Sequence, residues 1–408
     1  MITSLRLSSF KNFRNEKLRV GPFTLIVGTN ASGKSNIRDA FRVLHGIGRG
    51  YTVAEIIGGK YGAGGQVEWE LIRGAPREIA YSDRVVFALQ LELTLKERNV
   101  NYFVIFRPEL LGTKGFRIEN EELMVNERKI FAMDGGRFKV TPENVLEDFE
   151  YILRGDQPIL TQAREISRET FVDEQIEPVV GALANMRFLD LVPDRMRQPS
   201  IPGLTVLGDS GENLPTVLQA LCADSTRKET FAAWTRELTP MDVKDFDFRE
   251  GPDGKVHLII KEKSGREISA QSASDGTLRF LAMLAALLGP DPARLYFFEE
   301  IDNGIHPSRL HLLIDLIERQ TAKGQTQVIA TTHSPDLLTM IGDTTFENTS
   351  VVCRLEDTDD AIIRPVADLP NARKLRTDQG LGRLLAGGWM EDALAFTEGN
   401  EDSGMDSG

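Results

Sequence analysis

Gly28-Thr29-Asn30-Ala31-Ser32-Gly33-Lys34-Ser35 is the stretch on which the reading of this 408-residue chain turns. Just before it, Phe23-Thr24-Leu25-Ile26-Val27 is an apolar run that predicts a buried strand. Just after it, Asn36-Ile37-Arg38-Asp39-Ala40-Phe41-Arg42-Val43-Leu44 has the spacing of an amphipathic helix. A glycine-rich loop between a strand and a helix is the setting in which backbone amides close around phosphate. Gly28 and Gly33 permit the tight turn, and the positive end of the following helix favours negative charge. Lys34 is the mobile cation expected at the terminal phosphates, Ser35 the hydroxyl expected on Mg²⁺, and Asn30 a side-chain amide near the scissile bond. With Thr29, Ala31, Ser32 and Asn36 these residues form the expected binding set for ATP and Mg²⁺. In isolation the motif also fits a plain glycine-rich turn, so the rest of the chain has to decide.

Three further motifs follow in order. Ser272-Ala273-Ser274-Asp275-Gly276-Thr277 precedes the apolar helix Leu278-Arg279-Phe280-Leu281-Ala282-Met283-Leu284-Ala285-Ala286-Leu287-Leu288, which places Ser274, Asp275 and Gly276 at a helix N-terminus. Such an end attracts anions, and the local sequence gives it neither a Mg²⁺ ligand nor a strongly positive side chain, so it reads as half a site. Taken alone it is an ordinary N-cap. Leu295-Tyr296-Phe297-Phe298-Glu299-Glu300 is an apolar strand ending in two carboxylates, which repel one another unless metal and water receive them. Glu299 is then the metal-supporting group and Glu300 the group that orients or deprotonates the attacking water. An acidic strand end in solvent is the plain reading. After the turn Asp302-Asn303-Gly304-Ile305-His306-Pro307, the strand Gln327-Val328-Ile329-Ala330-Thr331-Thr332-His333-Ser334-Pro335 carries His333, expected at the terminal phosphate.

The order of phosphate loop, signature, paired carboxylates and switch histidine resembles that of ABC-type ATPase heads, within the RecF, SMC and OLD-like branch. The opening Ile2-Thr3-Ser4-Leu5-Arg6-Leu7-Ser8-Ser9-Phe10-Lys11-Asn12-Phe13-Arg14 resembles the first strand of that branch and its Phe-Lys-Asn-Phe element. Ser274-Asp275-Gly276-Thr277 resembles its signature, and Glu299-Glu300 through Asn303-Gly304-Ile305-His306-Pro307 its Walker B and D-loop. The likeness covers residues 1 to about 135 and 205 to about 370. In two respects the chain departs from the pattern. The first carboxylate is Glu299 where aspartate is common, and Gln66 and Gln90 both lie where a Q-loop glutamine belongs without a local pattern to choose between them.

The resemblance implies an α/β fold: a P-loop NTPase, ABC-type head with a mixed or parallel core sheet, an antiparallel β subdomain and an inserted helical lobe. It also implies a homodimer packed head to tail, in which the phosphate loop of one copy and the signature of the other enclose ATP, and which opens on hydrolysis. The expected setting is DNA maintenance or anti-phage defence. OLD-like proteins usually carry a TOPRIM nuclease after the switch histidine, whereas 75 residues follow His333 here, so cutting groups are expected from a separate effector. The reading from another class is a low-turnover nucleotide-binding scaffold or sensor. A transporter subunit is a third, disfavoured by the Phe10 to Phe13 opening.

Composition and patterning set the remaining bounds. Two distant cysteines, Cys222 and Cys353, indicate neither a disulfide framework nor a zinc site. No signal peptide and no run of eighteen apolar residues is present, so the expectation is a cytoplasmic protein without a membrane partner. With 61 acidic against 48 basic residues the net charge is −13, which excludes a polycation built to coat DNA. DNA contact would need a local patch, for which Arg164 with Arg168, Arg195 with Arg197, and Arg373, Lys374 and Arg376 are candidates, each also readable as a solvated face.

The expected organisation is 1–140 as the first part of the head, 141–236 as the helical lobe, 237–390 as the second part with signature, Walker B, D-loop and His333, and 391–408 as an acidic disordered tail. Strand-like runs over residues 66–130 predict the antiparallel sheet. The lobe is broken at Pro158, Pro178, Pro193, Pro199 and Pro202 and has no sustained heptads, which excludes an SMC-type coiled-coil arm.

Overall fold

Side chains alternate between buried and partly exposed along Phe87–Leu95, the two-residue period of a strand with one face on a core. In the computed structural model this strand belongs to an antiparallel sheet. The strand order is Tyr151–Ile152, Arg137–Val140, Arg128–Asp134, Phe116–Val125, Arg98–Pro108, Phe87–Leu95, Ile2–Phe10 and Phe13–Arg19. Leu91 lies opposite both Leu5 and Tyr102, and Phe87 stacks on Phe106 with ring centroids 4.7 Å apart, so the buried face is continuous across strands. The structure describes residues 1–74, 78–81, 84, 86–108, 116–134, 137–140, 151–152, 155–166, 170–239, 241–355, 360–390 and 392–394. Arg168 and all of the predicted acidic tail except residues 392–394 lie outside the described residues.

The chain forms two compact units, Met1–Met186 with Glu347–Arg373 and Gly388–Gly408, and Arg187–Phe346 with Lys374–Gly387. In the first, Phe23–Val27 is buried at all five positions because it runs parallel to Thr349–Arg354, which in turn pairs antiparallel with Ala361–Pro365. A strand covered on both faces has no reason to alternate, which is why its sequence reads as an uninterrupted apolar run. The helix Lys34–Gly48 follows and packs on Thr170–Ala184.

That helix is buried almost all round, charged residues included, and each of those needs compensation. Lys11, from the turn after Ile2–Phe10, pairs with the fully buried Asp39. Arg42 donates to Glu70 O at 2.7 Å and lies over the Trp69 ring, and His45 Nδ1 meets Leu183 O at 2.8 Å. The phosphate-loop helix is thus fixed by specific polar contacts as well as by apolar packing.

In the second unit Leu295–Phe298 and Gln327–Thr331 are parallel neighbours, with Met186–Leu189 beside the former. The helix Asp275–Leu288 packs on Pro193–Met196, Leu214–Cys222 and Ser225–Leu238, the small residues on its face allowing close approach. Val243–Glu250, Val256–Glu262 and Glu267–Ser269 form an antiparallel sheet. The α/β class expected from the sequence, with parallel strands, an antiparallel β region and helices, is the class observed. No helix among the described residues is long and apolar enough to cross a membrane.

One buried carboxyl in the large sheet gives the fold a pH signature. Glu121 is fully buried and accepts hydrogen bonds from Ile159 N at 2.6 Å, Leu160 N at 2.9 Å and the Tyr102 hydroxyl at 2.8 Å, so it caps the helix Ile159–Ile166 from the sheet. Burial pushes its carboxyl up to about 7 against the pull of those donors, and burial together with the Glu121 charge drives the Tyr102 hydroxyl well above its ordinary value. The folded state therefore holds the Glu121 proton more tightly than the unfolded state. Its stabilising contribution is complete below the usual value of 4.5 and is lost as pH rises through about 7. Thermal unfolding between about pH 5 and pH 8 checks this: the melting temperature of the wild type should fall more steeply than that of Glu121→Gln, and parallel profiles would contradict it.

Candidate active-site elements

Gly28 opens the phosphate loop at φ 142°, and a Cβ built on it would stand 2.0 Å from Val352 O. Only glycine fits, because the loop leaves Phe23–Val27 in contact with the neighbouring parallel strand. Thr29, Asn30 and Ala31 are exposed at the loop tip, and Ala31 takes a left-handed φ of 63°. The helix then starts at Lys34 with Gly33 as its N-cap, no side-chain cap and no acidic residue in its first turn. The positive end of its dipole, with no carboxylate beside it, suits an anion. Ser32 Oγ is buried and, among the described residues, has no hydrogen-bond partner, so it fits an additional acceptor.

Lys34 is folded back over the loop, its Nζ donating to Gly28 O at 2.8 Å and Thr29 O at 2.6 Å. To serve a phosphate it must exchange these carbonyls for phosphate oxygens, a favourable trade for an ammonium. Ser35 and Asn36 are half-buried beside it. Asn36, expected to bind nucleotide, spends its amide on Asn12 Oδ1 at 2.7 Å, while Asn12 Nδ2 reaches Ser32 O at 3.4 Å. Asn12 thus braces loop and helix together from the Phe10 to Phe13 turn. Sequence reading singled out that turn but gave Asn12 no role.

The second unit brings the signature and the D-loop turn together. Ser274 caps its helix, accepting from Thr277 N at 3.2 Å. A Cβ on Gly276 would lie 2.3 Å from Gly304 O, so the two turns touch through bare backbone. Beside them is a cavity of about 280 Å³ whose lining includes Ser274, Gly276, Thr277, Gly304, His306 and Arg309. The local sequence gives the signature end no strongly positive side chain of its own, and the fold brings such side chains to it from elsewhere in the chain. Arg309 lines the cavity, and Arg197 donates to Asp275 and to Ala273 O. Neither is visible locally, since Arg197 stands 78 positions away from Asp275.

The strand Leu295–Phe298 ends one residue before the carboxylate pair, leaving Glu299 half-buried and Glu300 exposed in a turn. Glu300 adopts φ 48°, a left-handed backbone that costs about 1 kcal/mol for a side-chain-bearing residue. Thr331 holds it there, its Oγ1 accepting from Glu300 N at 2.9 Å, while Thr332 Oγ1 donates to Asp302 Oδ1 at 2.6 Å. Asn303 Nδ2 reaches Glu300 Oε2 at 3.3 Å. The strand that leads to the exposed His333 therefore also fixes the Glu300 turn. Sequence reading quoted Thr331, Thr332 and Asn303 within its motifs, Asn303 in the D-loop turn, but assigned none of them to holding Glu300; for the threonines the signal is their doubling ahead of His333.

Other candidates resolve into local partnerships. Gln90 bonds Asn101 on the next strand at 3.2 Å, and Gln66 folds its amide against Gly62. Arg195 donates to Ser210, Arg373 pairs with Glu347 and Arg376 with Asp343, so much of the proposed basic patch is compensated. Among the described residues no group of three or more His, Cys, Asp or Glu side chains is arranged to hold a metal.

The Thr331 contact is testable. Thr331→Val removes the acceptor for Glu300 N and should slow phosphate release by about tenfold, or about 1.4 kcal/mol, while Thr331→Ser retains the rate. Equal rates for all three proteins would remove Thr331 from the site.

The chain is similar to several known proteins. A family model described as "AAA domain, putative AbiEii toxin, Type IV TA system" (AAA_21) matches residues 23–339. An ATP/GTP phosphatase of Helicobacter pylori is 22% identical over 365 residues, covering 84% of this chain and 87% of that protein. Among solved structures, the SMC head domain from Thermotoga maritima aligns with TM-score 0.44 at 14% identity, covering 90% of this chain and 98% of that one. An Smc head bound to the C-terminal winged-helix domain of ScpA aligns with TM-score 0.46 at 16% identity, covering 89% and 96%. With the family model spanning most of its length, the chain belongs to the AAA-domain ATPase family of that description.

Proposed function

We propose that this protein binds and hydrolyses ATP as a nucleotide-gated dimeric switch. The observation that carries the reading is the phosphate loop, where Gly28 lies against Val352 O, a helix start without a side-chain cap follows the exposed loop tip, and Lys34 Nζ donates to two carbonyls of the loop. The H. pylori relative's name, ATP/GTP phosphatase, supports hydrolysis of a nucleoside triphosphate.

In this reading the first unit supplies the phosphate cradle, Gly28 to Asn36, with Lys34 at the terminal phosphates. The Ser35 hydroxyl in the first unit and the Glu299 carboxylate in the second are each hard oxygen donors of the kind that would hold Mg²⁺. When bound, the metal supplies charge neutralisation at the phosphates. Glu300 orients water and takes its proton as the oxygen attacks the γ-phosphorus, the bond to the β-phosphate oxygen breaks, and ADP leaves. The exposed His333 donates to the γ-phosphate.

The signature half, Ser274 to Gly276, receives the nucleotide of a second copy in a head-to-tail homodimer. The closed dimer acts on a separate effector, with a nuclease or a toxin as the class. The family's toxin–antitoxin description supports a setting in defence, DNA maintenance being the other setting and DNA a further ligand of the dimer. In this reading the protein works in the cytoplasm.

Solution mass and phosphate release test the reading together. Glu300→Gln with ATP should accumulate a particle of twice the monomer mass and lose at least about a hundredfold in hydrolysis. Ser274→Arg should keep ATP binding and lose hydrolysis. A Glu300→Gln protein as active as wild type would remove Glu300 from its role.

A further inference from the structure

Asp275 puts a carboxylate in the first turn of the signature helix, where it favours the helix dipole but repels any arriving phosphate. Its side chain is 66% exposed and does not stand alone. The Arg197 guanidinium, from the end of the short helix Pro193–Met196, donates to Asp275 Oδ1, to Ala273 O at 3.2 Å and to Asp194 Oδ1 at 2.8 Å. One planar cation therefore ties the carboxylate at the start of the helix to the backbone of the turn that precedes it. Asp194 is 92% exposed, so its charge is left mainly to water, while the Arg197 side chain is 21% exposed.

We propose that Arg197 is a positioning residue of the signature turn: anchored on Ala273 O, it cancels the Asp275 charge, so that the helix end can receive the terminal phosphate of a nucleotide held by a second copy. The inference rests on the dimeric reading above. It also reassigns Asp275, which the sequence placed among the nucleotide-binding residues, as a group whose carboxylate is directed to Arg197. The hydrogen bond that Arg197 donates to Asp275, followed by the charges of Asp275 and Asp194, raises the Arg197 pKa further, so the guanidinium stays cationic across the working range.

Charge cancellation and direct phosphate reading by Arg197 predict different double mutants. At low ionic strength, Arg197→Ala should lose about tenfold in the rate of phosphate release at saturating ATP with its melting temperature unchanged. The loss should shrink in about 0.5 M salt, because repulsion between exposed charges is screened. Arg197→Lys, which keeps the charge, should retain most of the rate. Adding Asp275→Asn to Arg197→Ala should return the rate to within about twofold of Asp275→Asn alone, since no charge then needs cancelling. A double mutant as slow as Arg197→Ala would overturn the proposal, as would an Arg197→Ala protein with wild-type rate. Ser274→Arg, measured alongside, separates the two levels: if it is inactive while Arg197→Ala is normal, only the role of Arg197 falls. If both are normal, the signature reading falls with it.

Discussion

Main-chain amides hold a phosphate only where backbone comes close enough to touch it, and a Cβ in the way ends the arrangement. Two turns of this chain show the same steric limit against neighbouring carbonyls. Gly28 brings the phosphate loop onto Val352 O, and Gly276 brings the signature helix onto Gly304 O, in each case at a distance no side-chain-bearing residue tolerates. The surrounding structure serves these approaches. Fully buried parallel strands deliver the loop, and a helix packed on three others delivers the signature.

Around these contacts the protein places few charges and constrains nearly all of them. Asp39 is paired with Lys11, Arg42 with a carbonyl and an indole ring, and Asp275 with Arg197. Lys34 donates to two carbonyls of its own loop, bonds that an ammonium exchanges readily for phosphate oxygens. Glu300 differs in another way: the Thr331 hydroxyl holds its backbone in a left-handed conformation, so it is positioned through its main chain while its carboxylate stays exposed. Backbone strain held by a neighbouring strand is a common means of pre-orienting a reactive side chain.

Elements that follow from local pattern were legible in the sequence. Phe23–Val27 reads as buried because both faces are covered, and the glycines of the loop read as a phosphate turn because strand and helix flank them. The antiparallel sheet is visible in the alternation of Phe87–Leu95. What the sequence concealed are partnerships between distant positions: Asn12 with Ser32 across 20 residues, Thr331 with Glu300 across 31, and Arg197 with Asp275 across 78. No local period or propensity marks such pairs, since the fold alone brings them together. The cations beside the signature end, absent from its local sequence, are concealed for that reason.

The central claim is that one nucleotide needs the phosphate loop of one copy and the signature of another, and complementation between two defective proteins tests it most directly. Lys34→Ala and Ser274→Arg should each be inactive alone. In an equal mixture, half of the dimers are mixed and each of these retains one intact composite site, so hydrolysis should recover to about a quarter of the wild-type rate. A mixture that stays as inactive as its components would contradict the account.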